Sequence, residues 1–169
     1  MKTLIKSGLA VVALSLCLNA NAFAGKFEDG FKAFQRGDYA TAVRLWLPIA
    51  NQGDAGAQYN LGVMYSNGQG VAQDYAEAVK WYRKAAERGD AKAQGNLGFM
   101  YDNGQGVPQD YVQAHMWFNL AAAILTDKTD REKAVNNRDL VARKMTSAQV
   151  AEAQKLAREW KPTSSTSGK

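Results

Sequence analysis

The chain has 169 residues, of which 46% are hydrophobic and 22% charged, enough apolar material and enough length for one domain with a continuous core. Its formal charge of +5 is a mild excess that gives no argument for nucleic acid, and a single cysteine, Cys17, excludes a disulfide scaffold.

The first element in chain order is a leader. Lys2 and Lys6 precede the apolar run LAVVALSLCL, and two small-residue sites follow, ANA at Ala20 to Ala22 and AFA at Ala22 to Ala24. Residues 1–24 therefore read as a secretory signal peptide, cleaved after Ala24 or, as second choice, after Ala22. The run is too short for a comfortable membrane span, so no transmembrane anchor is expected after cleavage. Leu16 stands before Cys17 where a lipidation signal wants a small residue. Without Lys2 and Lys6 the basic residues fall from 21 to 19 against 16 acids, a net +3, and no cysteine remains.

The next three units repeat. Asp54 to Tyr75 and Asp90 to Tyr111 agree at 17 of 22 positions, and DYATAVRLW at Asp38, DYAEAVKWY at Asp74 and DYVQAHMWF at Asp110 share the same 36-residue spacing. A period in the mid-thirties marks a helical-pair solenoid whose units cannot bury their apolar faces alone. The boundaries are a helix pair at 25–53 and full repeats at 54–89 and 90–125. In the first helix of a full repeat Ala57, Leu61, Met64 and Tyr65 fall at helical spacing, and in the second Tyr75, Ala78, Val79, Tyr82, Ala85 and Ala86 do so. Gly62 and Gly98 lie inside helices, where glycine costs about 1 kcal/mol relative to alanine. Close approach of a neighbouring alanine-rich helix is the expected reason. Trp46, Tyr82 and Phe118 recur at one repeat position, and Leu45, Trp81 and Trp117 at the adjacent one. Such recurrence predicts buried core; an aromatic stripe for sugar would need exposed rings.

NGQGV, present at Asn67 and again at Asn103, has a helix before it, no lysine and only G-x-G. A phosphate loop needs a strand, a fuller glycine pattern and a helix N-terminus. The loop reads as punctuation: Asn67 and Gly68 suit a left-handed helix end, Asp74 and Asp110 cap the next helix, and Pro108 keeps the second copy extended.

The repeat departs after Ala123. Residues 126–160 are read as C-terminal capping helices, one from Asp130 to Met145 and one from Ser147 to about Trp160. The capping box Thr146-x-x-Gln149 opens the second, and together they cover the open end of the solenoid. KPTSSTSGK, residues 161–169, reads as a flexible, solvated tail.

The pattern A-x-A-Q-x-N-L-G-x-M-Y-x-N-G-x-G-V-x-Q-D-Y-x-x-A-x-x-W-Y-x-x-A-A-x-x-G-D resembles the Sel-one-like repeat, a relative of the tetratricopeptide repeat with a longer loop. FEDGFKAFQRGDYATAVRLW, with Phe34, Gly37, Tyr39 and Ala42, is similar to a shorter, more tetratricopeptide-like unit. The resemblance implies an all-α fold, a right-handed superhelical solenoid of antiparallel helix pairs with about eight helices. It also implies an adaptor, scaffold or regulator that binds protein or peptide in a bacterial envelope, with no shared catalytic residues and no cofactor.

Four of the five differences between the near-identical blocks are Gly56/Lys92, Tyr59/Gly95, Val63/Phe99 and Ser66/Asp102. Spaced by three, four and three residues, they occupy a sector of about 80° on the first helix. One face thus escapes the packing demands that keep the rest alike. In tetratricopeptide relatives this face lines a concave groove, so Tyr59, Val63, Ser66, Lys92, Phe99 and Asp102 are the candidate partner contacts. Simple drift on a solvated face is the alternative.

Catalysis finds little support. His115 is the only histidine and replaces Val79 of the previous repeat beside Met116 and Trp117, as a packed helical residue would. A metal site would need more ligands, and Asp74 and Asp110, the nearest thing to paired carboxylates, already serve as caps. The expectation is a non-catalytic protein-binding module, exported, periplasmic first and secreted second. Its partner would be another envelope protein or a peptide segment, and no nucleic acid. A peptidoglycan- or glycan-associated role is the alternative, and a hydrolase comes last.

Overall fold

The computed structural model describes residues 25–163, all helix and connecting turn. The predicted leader and its cleavage sites lie outside the described residues. Eight helices are present among those described: α1 over residues 25–35, α2 Tyr39–Asn51, α3 Ala55–Asn67, α4 Tyr75–Glu87, α5 Ala91–Asn103, α6 Tyr111–Ile124, α7 Lys128–Ala142 and α8 Ser147–Glu159. Each of α2 to α7 packs on its neighbour in the chain, so the architecture is the expected all-α solenoid of antiparallel helix pairs.

The helix starts follow one chemistry. Asp38, Asp54, Asp74, Asp90, Asp110 and Asp127 each accept the backbone N–H three residues on, at 2.7 to 3.2 Å. A carboxylate there satisfies an otherwise orphan donor and opposes the positive end of the helix dipole. Gln58 and Gln94 join consecutive units, donating from Nε2 to the carbonyls of Ala50 and Ala86 at the end of the preceding second helix.

NGQGV is structural in both copies. Gly68 and Gly104 close α3 and α5 in the left-handed conformation. Gly70 and Gly106, also left-handed, lie against the backbone that begins the second helix of the preceding unit, where a Cβ would stand 2.5 Å from Tyr39 and 2.3 Å from Tyr75. The second glycine is thus a seam between repeats.

The interhelical glycines meet the neighbouring alanine-rich helix, as expected. The group that comes closest is one of that helix's aromatic rings. A Cβ on Gly30, Gly62 or Gly98 would fall 2.5, 2.5 or 2.9 Å from the rings of Trp46, Tyr82 and Phe118. These three rings are buried, as are Trp81 and Trp117, so none offers an exposed face for sugar stacking.

The C-terminal segment departs from expectation in two places, the bounds of its first helix and its tail. The first capping helix runs over Lys128–Ala142 because Asp127, not a later residue, caps it. It covers the open end through Val141, which packs with Phe118. The second helix has the expected capping box at Thr146 and Gln149. It lies back on α6, with Trp160 edge-on to Trp117 at 6.2 Å. Finally, the tail is not free from residue 161: Thr163 donates from its backbone and its hydroxyl to the Glu87 carbonyl at 2.7 and 3.1 Å, tying it to the end of α4. Residues 164–169 lie outside the described residues.

Candidate functional site: the trough along the first helices

Along α3 and α5, the residues that differ between repeats all keep solvent exposure, while Ala57, Leu61 and Met64 and their counterparts Ala93, Leu97 and Met100 are buried. Two adjoining hollows run along this outer face. One, of about 320 Å³, is lined by Tyr59, Lys92, Gly95, Asn96 and Phe99, with Phe118 at its base and Asp130, Lys133 and Asn137 of α7 as its far wall. The other, of about 340 Å³, takes in Tyr59, Val63, Ser66, Asn96 and Phe99. Tyr59, Asn96 and Phe99 are common to both, so the two form one trough.

Five of the six sequence candidates therefore converge. Asp102 does not: its carboxylate is bound to Lys144 at 2.7 Å, at the end of the chain's first capping helix, and it lines neither hollow. Lys144 in turn lies over the Tyr111 ring. Asp102 thus diverges from Ser66 because it meets a structure that only the last repeat has.

The trough is apolar with polar edges. Phe99 is 49% exposed, the only large apolar side chain of α3 or α5 left so open. Lys133 pairs with Asp130 at 3.3 Å, whereas Lys92 has no ion pair among the described residues. Burial, then the nearby Asp90 and Asp130 carboxylates, raise the Tyr59 phenol above its ordinary value, with Asn96 opposing, so it stays a neutral hydrogen-bonding group.

Sequence comparison of the repeats could not find Asn96, which is identical to Asn60 in the previous copy, nor Asn137, which belongs to no repeat. It registered Tyr59/Gly95 but valued only the residue with the side chain. In the fold, Gly95 matters for what it lacks. Phe27 stands near Trp46 at 6.1 Å between ring centroids, and Tyr59 near Tyr82 at 6.2 Å. Gly95 occupies the same place three residues before its own interhelical glycine, facing Phe118 with no ring at all.

His115, the lone histidine, is buried in α6, and burial followed by the Arg138 charge lowers its pKa. It lines neither hollow of the trough.

A family model for the Sel1 repeat matches residues 20–54, 55–90 and 91–123. The chain belongs to the Sel1 repeat family. The match takes in the first, shorter unit as well as the two full copies, and begins a few residues inside the stretch read as a leader. Among solved structures, it resembles a protective antigen present in uropathogenic Escherichia coli strains that displays an SLR fold. That match has 33% identity and a TM-score of 0.74, over 82% of this chain and 29% of that one. It also resembles a Sel1 repeat protein from Oxalobacter formigenes, with 30% identity and a TM-score of 0.60, over 75% of this chain and 98% of that one. The chain thus spans less than a third of the antigen's length. No curated protein matches it. Sel1 repeats generally serve as non-catalytic protein-interaction modules. No helix among the described residues is long and apolar enough to cross a membrane.

Proposed function

We propose that this Sel1 repeat protein is a non-catalytic adaptor or regulator of the bacterial envelope, binding a segment of a partner protein along the trough of α3 and α5. The observation that carries the reading is Phe99, half-exposed beside Tyr59 over a trough that spans two repeats. Phe99 and Tyr59 together give the trough an aromatic floor, and aromatic side chains in pockets are the usual anchors of protein interfaces.

Export is supported by Lys2, Lys6, the following apolar run and the two small-residue cleavage sites, and by the likeness to a bacterial antigen. A periplasmic site is favoured over full secretion. The glycan alternative has lost its main support, because the recurrent Trp and Tyr rings are core.

Crosslinking in intact cells with the protein and its Phe99→Ala variant as parallel baits tests the reading. One envelope protein recovered with the first and lost with the second is the expected result. The same set recovered with both, while the variant unfolds at the same temperature, would remove the trough as the working surface.

A further inference from the structure

We propose that the hollow over Gly95 receives an aromatic side chain of the partner, with a carboxylate of the same segment set beside Lys92. The inference rests on the trough being the binding surface and adds the chemistry of its occupant.

The solenoid supplies the model for the occupant from its own repeats. In each unit a buried ring of the second helix, Trp46, Tyr82 or Phe118, lies against a glycine of the first helix. In the first two units a second ring, from the residue three places earlier, stands beside it: Phe27 near Trp46 and Tyr59 near Tyr82. In the third unit that residue is Gly95, and the place of the ring is open space. Phe118 forms the base of the resulting cavity of about 320 Å³, Tyr59 and Phe99 flank it, and α7 closes its far side. An ideal Cβ on Gly95 would approach nothing closer than the Ala121 methyl at 3.9 Å, so the backbone itself leaves room for a side chain there. The empty place is thus bordered by three rings, and aromatic pairs gain from offset or edge contacts beyond simple burial.

Charge complementarity fixes the neighbour. The mouth carries Asp130 and Lys133, which pair with each other, and Lys92, which makes no direct ion pair among the described residues although the Asp90 carboxylate lies in its vicinity. Lys92 precedes Gly95 by one helical turn, about 4.5 Å along the axis, a distance that one or two residues of extended chain cover.

A random heptapeptide display library selected on the purified protein, followed by synthetic peptides in solution, tests this. The expected outcome is enrichment of one aromatic residue with Asp or Glu one or two places away. Changing the ring to Leu should weaken binding about tenfold or more, and Lys92→Glu should weaken the acidic peptides several-fold. Gly95→Tyr, which supplies the missing ring from within as Tyr59 does one repeat earlier, should abolish binding while leaving the unfolding temperature unchanged or higher. Should that variant misfold, contacts by nuclear magnetic resonance between the peptide ring protons and the Gly95 α-protons give the same answer on the unaltered protein, and their absence would overturn the proposal. Enriched peptides without an aromatic, without an acid, or bound equally well by a folded Gly95→Tyr overturn it too, while their loss on Phe99→Ala would still leave the trough as the binding surface. A library that yields nothing would overturn both.

Discussion

The inner faces of α3 and α5 are the same residue for residue, Ala57, Gln58, Leu61, Gly62 and Met64 against Ala93, Gln94, Leu97, Gly98 and Met100, whereas all four differences between the two helices fall on their outer faces. The difference separates what stacking demands from what it leaves free. Inner residues meet a ring, a carbonyl or a neighbouring helix at contact distance, and each meets the same partner in each copy. Outer residues meet solvent, or the particular surroundings of one repeat, so their identities follow what that place does.

The sharpest way to break the comparison is at the seam. Gly106→Ala would force a left-handed backbone on alanine and drive a Cβ to within 2.3 Å of the Tyr75 backbone, which has no side-chain freedom with which to yield. Left-handed strain and overpacking together predict a loss of about 3 kcal/mol, read as a lower denaturant midpoint with an unchanged slope. Gly98→Ala comes next. Its methyl would meet the Phe118 ring at 2.9 Å, and the ring must shift within a packed layer. A loss of about 1 to 2 kcal/mol is expected, reduced by the better helix propensity of alanine. Three residues earlier on the same helix the sign reverses. Gly95→Ala meets only ordinary contact at 3.9 Å and should stabilise by up to about 1 kcal/mol. Equal losses at Gly95 and Gly98 would mean that the two faces do not differ in packing demand.

On the outer face Phe99→Ala should leave stability nearly unchanged, because the ring is already half in water. Partner affinity should fall about tenfold or more, the loss typical of a central aromatic anchor. Thermal unfolding and binding measured on the same preparation separate the two quantities, and a large drop in unfolding temperature would make Phe99 a core residue instead.

The fold was legible in the sequence because its causes recur every 36 residues: aspartate caps, glycine seams and small residues beneath rings each announce themselves twice. The trough was half legible. Difference between copies found Tyr59, Val63, Ser66, Lys92 and Phe99, but it could not register Asn96, held constant, or Gly95, whose contribution is a space. Asp102 was misassigned for the complementary reason, since its partner Lys144 lies beyond the repeats, where no second copy exists for comparison. The path of α8 was hidden likewise: Leu156, Ala157 and Trp160 pack on the core cluster that includes Met116, Trp117 and Leu120 of α6, and no second copy of that contact exists in the sequence to announce it.

The smallest expected effect concerns His115, which stands where the previous repeat has Val79 and shares its burial. Burial first, and the Arg138 charge second, push its pKa below the ordinary 6.5, with Asp139 pulling weakly the other way. The folded protein therefore holds a neutral imidazole at a pH where the unfolded chain would bind a proton. Below about pH 6.5 the unfolded state binds more protons than the folded one, so stability rises with pH through this window and is lost as pH falls towards the depressed folded value. Its Nδ1 has no hydrogen-bond partner among the described residues, so only the weaker pull of Asp139 favours protonation. His115→Val, copying the previous repeat, should flatten the slope between pH 5 and 6.5 while keeping the fold, as followed by denaturant unfolding across that range. If the slope persists in the variant, the acid sensitivity belongs to other groups, and the second helices of the two repeats are as alike in their electrostatics as in their packing.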